Sequence, residues 1–274
     1  MADPNPSSRG NEEYLHGYSP EHRAFLSSRT AARDAAFFLP YLKPGMRLLD
    51  CGCGMGALTT SLAEWLAPGE VIGLDREGSQ IEAAQAWATE KGVGNVQFEA
   101  GDIYNIAYPD ASFDAVFANT VLEHLREPKR AMREMRRVLK PGGVAGLSDP
   151  DYEAQLHAPD SASFAEAWKL MRAFSAEHAS PYYARHQREY LLEAGFARTE
   201  GFSRAVGGGN SEQLPFIFNV LIRPTVEAIR PWVVEKGLAD DRHVDEILAD
   251  VEAWSSRPDA FFAMILCQAV AWAA

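Results

Sequence analysis

The stretch MRLLDCGCGMGAL, residues 46–58, decides how the rest of the chain is read. Pro44-Gly45 turns the chain into a short apolar run, 46–50, that ends on Asp50. Such a run reads as a buried strand feeding a glycine loop. Residues 57–66 continue as a helix, and Pro68-Gly69 stops it. Strand, glycine turn and helix together aim several backbone N–H groups at one point, beside the positive end of the helix. Glycines there admit a ligand close to the backbone and tolerate positive φ. The loop alone does not choose a ligand. Gly52-x-Gly54-x-x-Ala57 also satisfies the dinucleotide fingerprint, and an ordinary strand-to-helix turn reads the same way.

Beyond the loop, strands and helices alternate. Strands are expected at 70–75 (EVIGLD), 96–100, 113–118 and 144–148. Between them lie a helix at 79–91, with Ile81, Ala84 and Ala88 at helical spacing, and one from Pro128 to Leu139. Pro128 suits a helix start, and Pro141-Gly142-Gly143 ends that helix. This spacing implies a parallel sheet wound on both faces with right-handed connections. After Asp149 the alternation pauses. An inserted helix at 162–179 carries Phe164, Trp168, Met171 and Phe174 on one stripe and ends near His178. A helix at 187–194 and a strand at 196–204 resume the pattern. A flexible Gly207-Gly208-Gly209 follows, then two or three helices in 211–256 with Pro224 and Pro231 as boundaries or kinks. The run 261–272 reads as a final strand.

Composition bounds the rest. The 274 residues fit one large α/β domain with insertions, and 47% hydrophobic residues can fill a sizeable core. A formal net charge of −12 repels phosphate backbones and anionic membranes, which argues against nucleic acid as a partner. The basic run 126–140 reads as the solvated face of an amphipathic helix. Three cysteines, Cys51, Cys53 and Cys267, without a signal peptide fit a reducing cytoplasm. Cys51 and Cys53 read as small residues beside the glycines, so no metal is expected. No apolar run has membrane-spanning length. Residues 1–12, rich in Pro, Ser and Asn, read as a mobile tail.

The strand ends carry the chemistry. Asp75 closes the second strand, where a carboxylate can accept from two ribose hydroxyls. Gly101-Asp102 follows the third strand, where an acceptor reaches an exocyclic adenine amine. Asn119 and Thr120 follow the fourth and face the same crevice. A ligand spanning these ends is a nucleoside with a short tail.

These residues are similar to a known family. LLDCGCGMG, VIGLD, GDIYNIAYPDASFDAVFANTVLEHL and RRVLKPGG resemble the successive motifs of class I S-adenosylmethionine (SAM)-dependent methyltransferases. The nearest branch resembles the ubiquinone/menaquinone-biosynthesis type and other small-molecule enzymes. The resemblance spans residues 40–148, with an echo in LLEAGF at 191–196. It implies an α/β, Rossmann-like, doubly wound, mostly parallel seven-stranded sheet with an antiparallel C-terminal strand. A helical cover at 13–40 and helical lid insertions at about 150–185 and 205–258 would complete a single domain, 41–274. The chain would be a monomer or homodimer.

The resemblance also implies roles. Asp50 and Gly52 would lie by the methionine part of SAM, Gly54 would also bind the cofactor, and Asp75 would bind the ribose with Arg76 flanking the adenine. Asp102 and Ile103 would hold the adenine edge and face, and Asn119 would contact the cofactor. Gln80 reaches either the ribose or solvent from its first turn. Tyr18 and Arg29, in the helical cover, would approach the SAM carboxylate, though Arg29 also reads as a surface ion pair. Methyl transfer needs a base only where the acceptor must lose a proton. His124, His178 and Tyr182 are the candidates. Trp168, Phe174, His178, Tyr182 and Phe216 are candidate walls of an apolar or aromatic acceptor pocket. A repurposed reaction such as cyclisation, with SAM not turned over, is the alternative reading.

Overall fold

The computed structural model describes residues 20–274 except 181, 210 and 211. The expected tail and Tyr18 lie outside the described residues. β1 (Leu48–Cys51) is buried along its whole length, and β4 (Phe113–Asn119) nearly so. Strands covered on both faces require near-continuous apolar runs, which LLDC and FDAVFAN supply. β2 (Val71–Asp75) and β3 (Val96–Ala100) extend the sheet on one side of β1. β4 and β5 (Leu139–Ala158) extend it on the other, all in parallel. β7 (Phe261–Trp272) pairs antiparallel with both β5 and β6 (Arg198–Gly208). The order is β3-β2-β1-β4-β5-β7-β6, so the winding reverses between β1 and β4 and opens a crevice at the carboxyl ends there.

Helices cover both faces. α1 (Pro20–Ser27), α2 (Ala31–Asp34) and α3 (Ala57–Leu66) lie on one side, where Phe38 stacks on Phe117 of β4 at 5.5 Å. α4 (Gly78–Lys91) buries Ile81, Ala84 and Ala88, the predicted stripe. On the opposite face α5 (Pro128–Val138) and α7 (Tyr183–Glu193) close a core that includes Met132, Met135 and Leu191.

A separate core is built from the insertions. α6 (Ala162–His178) starts on Ser161, whose hydroxyl accepts from the Phe164 N–H at 3.1 Å. α10 (Asp241–Ser255) starts on Asp240 in the same way. Between them stand α8 (Gln213–Ile217), a π-helical turn Phe218–Ile222, and α9 (Arg223–Glu235) with Pro231 inside it. Phe164, Trp168, Met171, Phe218, Trp254 and Phe262 pack together there. Among the described residues no helix is long and apolar enough to cross a membrane.

α7 starts at Tyr183 rather than 187, β6 spans Arg198–Gly208 rather than 196–204, and two larger expectations change. β5 runs from Leu139 to Ala158 rather than over 144–148. Beyond Pro150 its register against β7 shifts, and residues 155–158 pair with 264–261. The triglycine is not a free segment, because Gly207 and Gly208 belong to β6. Gly207 has φ +136°, and a Cβ there would lie 2.1 Å from the Phe262 carbonyl oxygen, so only glycine lets the strands approach.

Candidate active site

A cleft of about 460 Å³ opens at the carboxyl ends of β1, β2, β3 and β4. That size suits a nucleoside-bearing small molecule, within the range of roughly 300–1,000 Å³ typical of ligand pockets. Its floor is the glycine loop. Gly52 has φ +77°, and a Cβ there would meet Val121 at 2.4 Å, so the loop sits tightly against the segment after β4. Asp50 is buried and accepts from the Thr59 hydroxyl at 2.6 Å. Burial pushes its carboxyl up to about 7, with Thr59 and Arg29 opposing and Asp75 assisting. Asp75 accepts from the Gly54 N–H at 2.9 Å through Oδ2 and from the Glu77 N–H at 3.0 Å through Oδ1. Burial raises this carboxyl as well, and those two N–H groups hold the rise in check. One bond per oxygen leaves lone pairs on each for a ligand hydroxyl.

Residues that follow β3 line the cleft as well. Asp102 accepts from the Tyr104 N–H at 2.8 Å, and Ile103, Tyr104 and Leu125 line the cleft with it. Gln80 is 3% exposed and lines the cleft, so it faces the ligand space rather than solvent. Arg76 lies beside Glu77 at 3.2 Å. Asn119 is buried at the end of β4. Arg29 reaches the cleft from the segment after α1 and donates to the Thr120 hydroxyl at 2.8 Å.

The segment after β4 is pinned from below. Asp149, fully buried on β5, accepts from the N–H groups of Val121 and Leu122 at 2.8 and 3.1 Å. The Tyr183 hydroxyl donates to its other oxygen. Glu123 is buried beside it, with Oε2 lacking a partner among the described residues. Burial and the neighbouring Asp149 carboxylate push the Glu123 carboxyl well above the usual carboxylate range. His124 lies on the cleft wall with Nε2 3.5 Å from Glu123 Oε1.

Every described residue expected at the cofactor therefore lines one cleft, and His124 joins them. The expected acceptor wall is not gathered there. Trp168 is 1% exposed inside the insertion core, where its indole N–H donates to the Tyr152 carbonyl at 2.6 Å. Phe174 and His178 stack on each other at 4.1 Å against Trp232, and His178 Nδ1 lies 2.9 Å from the Phe174 carbonyl. Tyr182 lies under the Arg185 guanidinium outside the cleft. Phe216 is exposed and faces Phe25 of α1 at 6.3 Å, next to the cleft-lining Leu26. The aromatic stripe of α6 has helical spacing because it is core. Leu26, Val121, Tyr104, Arg126 and Arg130 on the cleft wall, and Glu123 with Tyr183 beneath it, were not singled out by the sequence pattern. Arg126 and Arg130 belong to the basic run read as a solvated face, so that face borders the site. A hydrogen-bonding hub joining β5, α7 and a loop leaves no local pattern to read.

Carboxylates (Asp50, Asp75, Asp102) and arginines (Arg29, Arg76, Arg126, Arg130) both line the cleft. Asp50 and Asp75, beside the glycine loop, oppose a pyrophosphate there, which a dinucleotide would bring.

Comparison with known proteins places the chain in a family. Residues 42–195 match the family described as a methyltransferase domain. A protein of Aspergillus luteorubrus named probable methyltransferase ltbC is 32% identical over 279 residues, covering 94% of this chain and 96% of its own. A sterol 24-C-methyltransferase of Gibberella zeae is 39% identical over 107 residues, covering 39% of this chain and 28% of its own. Among solved structures, the YcgJ protein of Bacillus subtilis superposes with a TM-score of 0.57 at 20% identity, covering 89% of this chain and 99% of its own. Phosphoethanolamine N-methyltransferase 2 of Haemonchus contortus, in complex with S-adenosyl-L-methionine, gives 0.53 at 16% identity, covering 88% and 52%. These two likenesses concern the fold. The chain belongs to the methyltransferase domain family and is a SAM-dependent methyltransferase.

Proposed function

We propose that the cleft binds SAM with its ribose on Asp75 and that the chain methylates a small, largely apolar acceptor. The observation that carries this reading is the convergence of Asp50, Asp75, Asp102 and Asn119, from four strand ends, on one cleft. Bound SAM supplies a methyl group on a sulfonium, ready for in-line displacement. The residues orient it. Asp102 would take the adenine edge, Ile103 and Leu125 its faces, and Arg76 would flank it. Gly52, Gly54, Gln80 and Asn119 would line the remaining length, with Asp50 near the ammonium and Arg29 near the carboxylate.

The acceptor would enter between α1 and Phe216. Leu26, Phe25 and Phe216 give that entrance apolar surface. The sterol 24-C-methyltransferases that match part of the chain are named for an apolar class of molecule, which supports the same preference here. Where the acceptor must lose a proton, His124 would take it. The test is incubation with methyl-labelled SAM and an apolar metabolite extract. Label in an extractable product with matching S-adenosylhomocysteine (SAH) supports transfer. Tight SAM binding with no SAH formed would favour the repurposed reading instead.

A further inference from the structure

Thr120 has φ +55°, in the left-handed region that a β-branched residue avoids. Such a conformation costs about 1–3 kcal/mol and persists only where the surroundings enforce it. Here they do. The Thr120 N–H donates to the Ser148 carbonyl at 2.8 Å. The next two N–H groups are held by buried Asp149, and Val121 is packed against Gly52. The Thr120 hydroxyl donates to the Asn119 carbonyl at 2.6 Å and accepts from Arg29 Nη1 at 2.8 Å. Its hydrogen is spent on Asn119, so its lone pair is aimed at Arg29.

Among the described residues, the other side-chain contact of Arg29 is with Phe25, its guanidinium over that ring at 5.5 Å. Arg29 lines the cleft together with Asp50, near enough for its charge to act on that carboxyl. A guanidinium carries five N–H donors in a planar fork. One bond to Thr120 fixes its direction and leaves the others for a carboxylate.

We propose that Thr120 is a positioning residue that holds Arg29 so that its fork receives the amino-acid carboxylate of the cofactor. The strained turn is what brings the hydroxyl to the wall facing α1. The inference rests on the SAM reading of the cleft.

The test compares two probes, SAH and 5′-methylthioadenosine, which shares the nucleoside but lacks the carboxylate. Calorimetry on the full chain should show Thr120→Val weakening SAH by about tenfold, the size of a lost bond to a charged group. Methylthioadenosine affinity should stay within about twofold, because its contacts are elsewhere. Thr120→Ser restores the hydroxyl and should restore SAH binding. Arg29→Leu should show the same selective loss, and the double variant should add little to it. Thr120→Ser and Arg29→Leu are read without Thr120→Val, so the inference can fail even if Thr120→Val folds poorly. Equal loss for both probes, no loss for either, or full additivity in the double variant would overturn the inference. Wild-type protein that binds methylthioadenosine but not SAH would overturn it too. Wild-type protein that binds neither probe would overturn the cofactor reading beneath it.

Discussion

At the carboxyl ends of β1 to β4, polar side chains face a cleft and keep hydrogen-bonding capacity in reserve. At the far ends of β5, β6 and β7, large apolar side chains face one another. Asp50 is buried and Asp75 half-buried, and the carboxyls of both are pushed upward by their surroundings. Nothing in folding favours such groups, because desolvating a charge costs stability. Phe164, Trp168, Trp254 and Phe262 do the reverse, since their burial supplies stability. The contrast separates a binding surface from a scaffold, although both regions sit on one sheet.

The scaffold side is where the largest effect is expected. Trp168→Ala should cost about 3–5 kcal/mol of stability, the usual result of truncating a buried aromatic. Urea unfolding would show it as a lower midpoint at an unchanged slope. SAH affinity of the folded protein should hardly move. A stable Trp168→Ala protein with lost turnover would place Trp168 at the acceptor instead and dissolve the division.

Glu123 tests the boundary between the regions, since it lies beneath the cleft wall and touches no ligand space. Its folded-state pKa is raised, so the folded chain holds a proton that the unfolded chain releases above the ordinary carboxylate range. Stability from this group therefore falls as pH rises. Glu123→Gln mimics the protonated form and has nothing to lose. It should be more stable than wild type at pH 8 and nearly equal near pH 4.5, because the folded wild type holds a proton that its unfolded chain releases over that range. Denaturant curves at the two pH values would show it. A variant destabilised most at pH 8 would mean that Glu123 is ionised in the fold.

Asp50 should give a smaller effect, read in binding. With its carboxyl near 7, the ionised form that suits a ligand ammonium is depleted below neutrality. SAH affinity should rise by about tenfold from pH 6 to pH 8, and Asp50→Asn should flatten that dependence. An unchanged slope in the variant would remove Asp50 from the methionine end.

Much of the binding half was legible in the sequence. The helix at 57–66 and the strands at 96–100 and 261–272 have the bounds read from pattern alone. Their cues are local: an apolar run, a glycine turn, a proline stop. Asp75 and Asp102 could be placed because strand ends in a wound sheet converge. The extension of β5 to Ala158 was not legible, because its pairing with β7 joins residues about a hundred positions apart through a register shift. The α6 stripe was legible as a buried face, but the pattern does not say against what. Thr120 was placed at the crevice, but its contact with Arg29 was not legible, nor was the part played by Glu123, since both lie in contacts between distant segments.

The central claim is that this cleft holds SAM by its ribose on Asp75. Calorimetric titration of SAH into wild-type protein and into Asp75→Ala tests it most directly. Removing the carboxylate deletes the acceptor for two loop N–H groups as well as for the ribose, so affinity should fall by about a hundredfold or more. Equal affinity in the two proteins would contradict the claim.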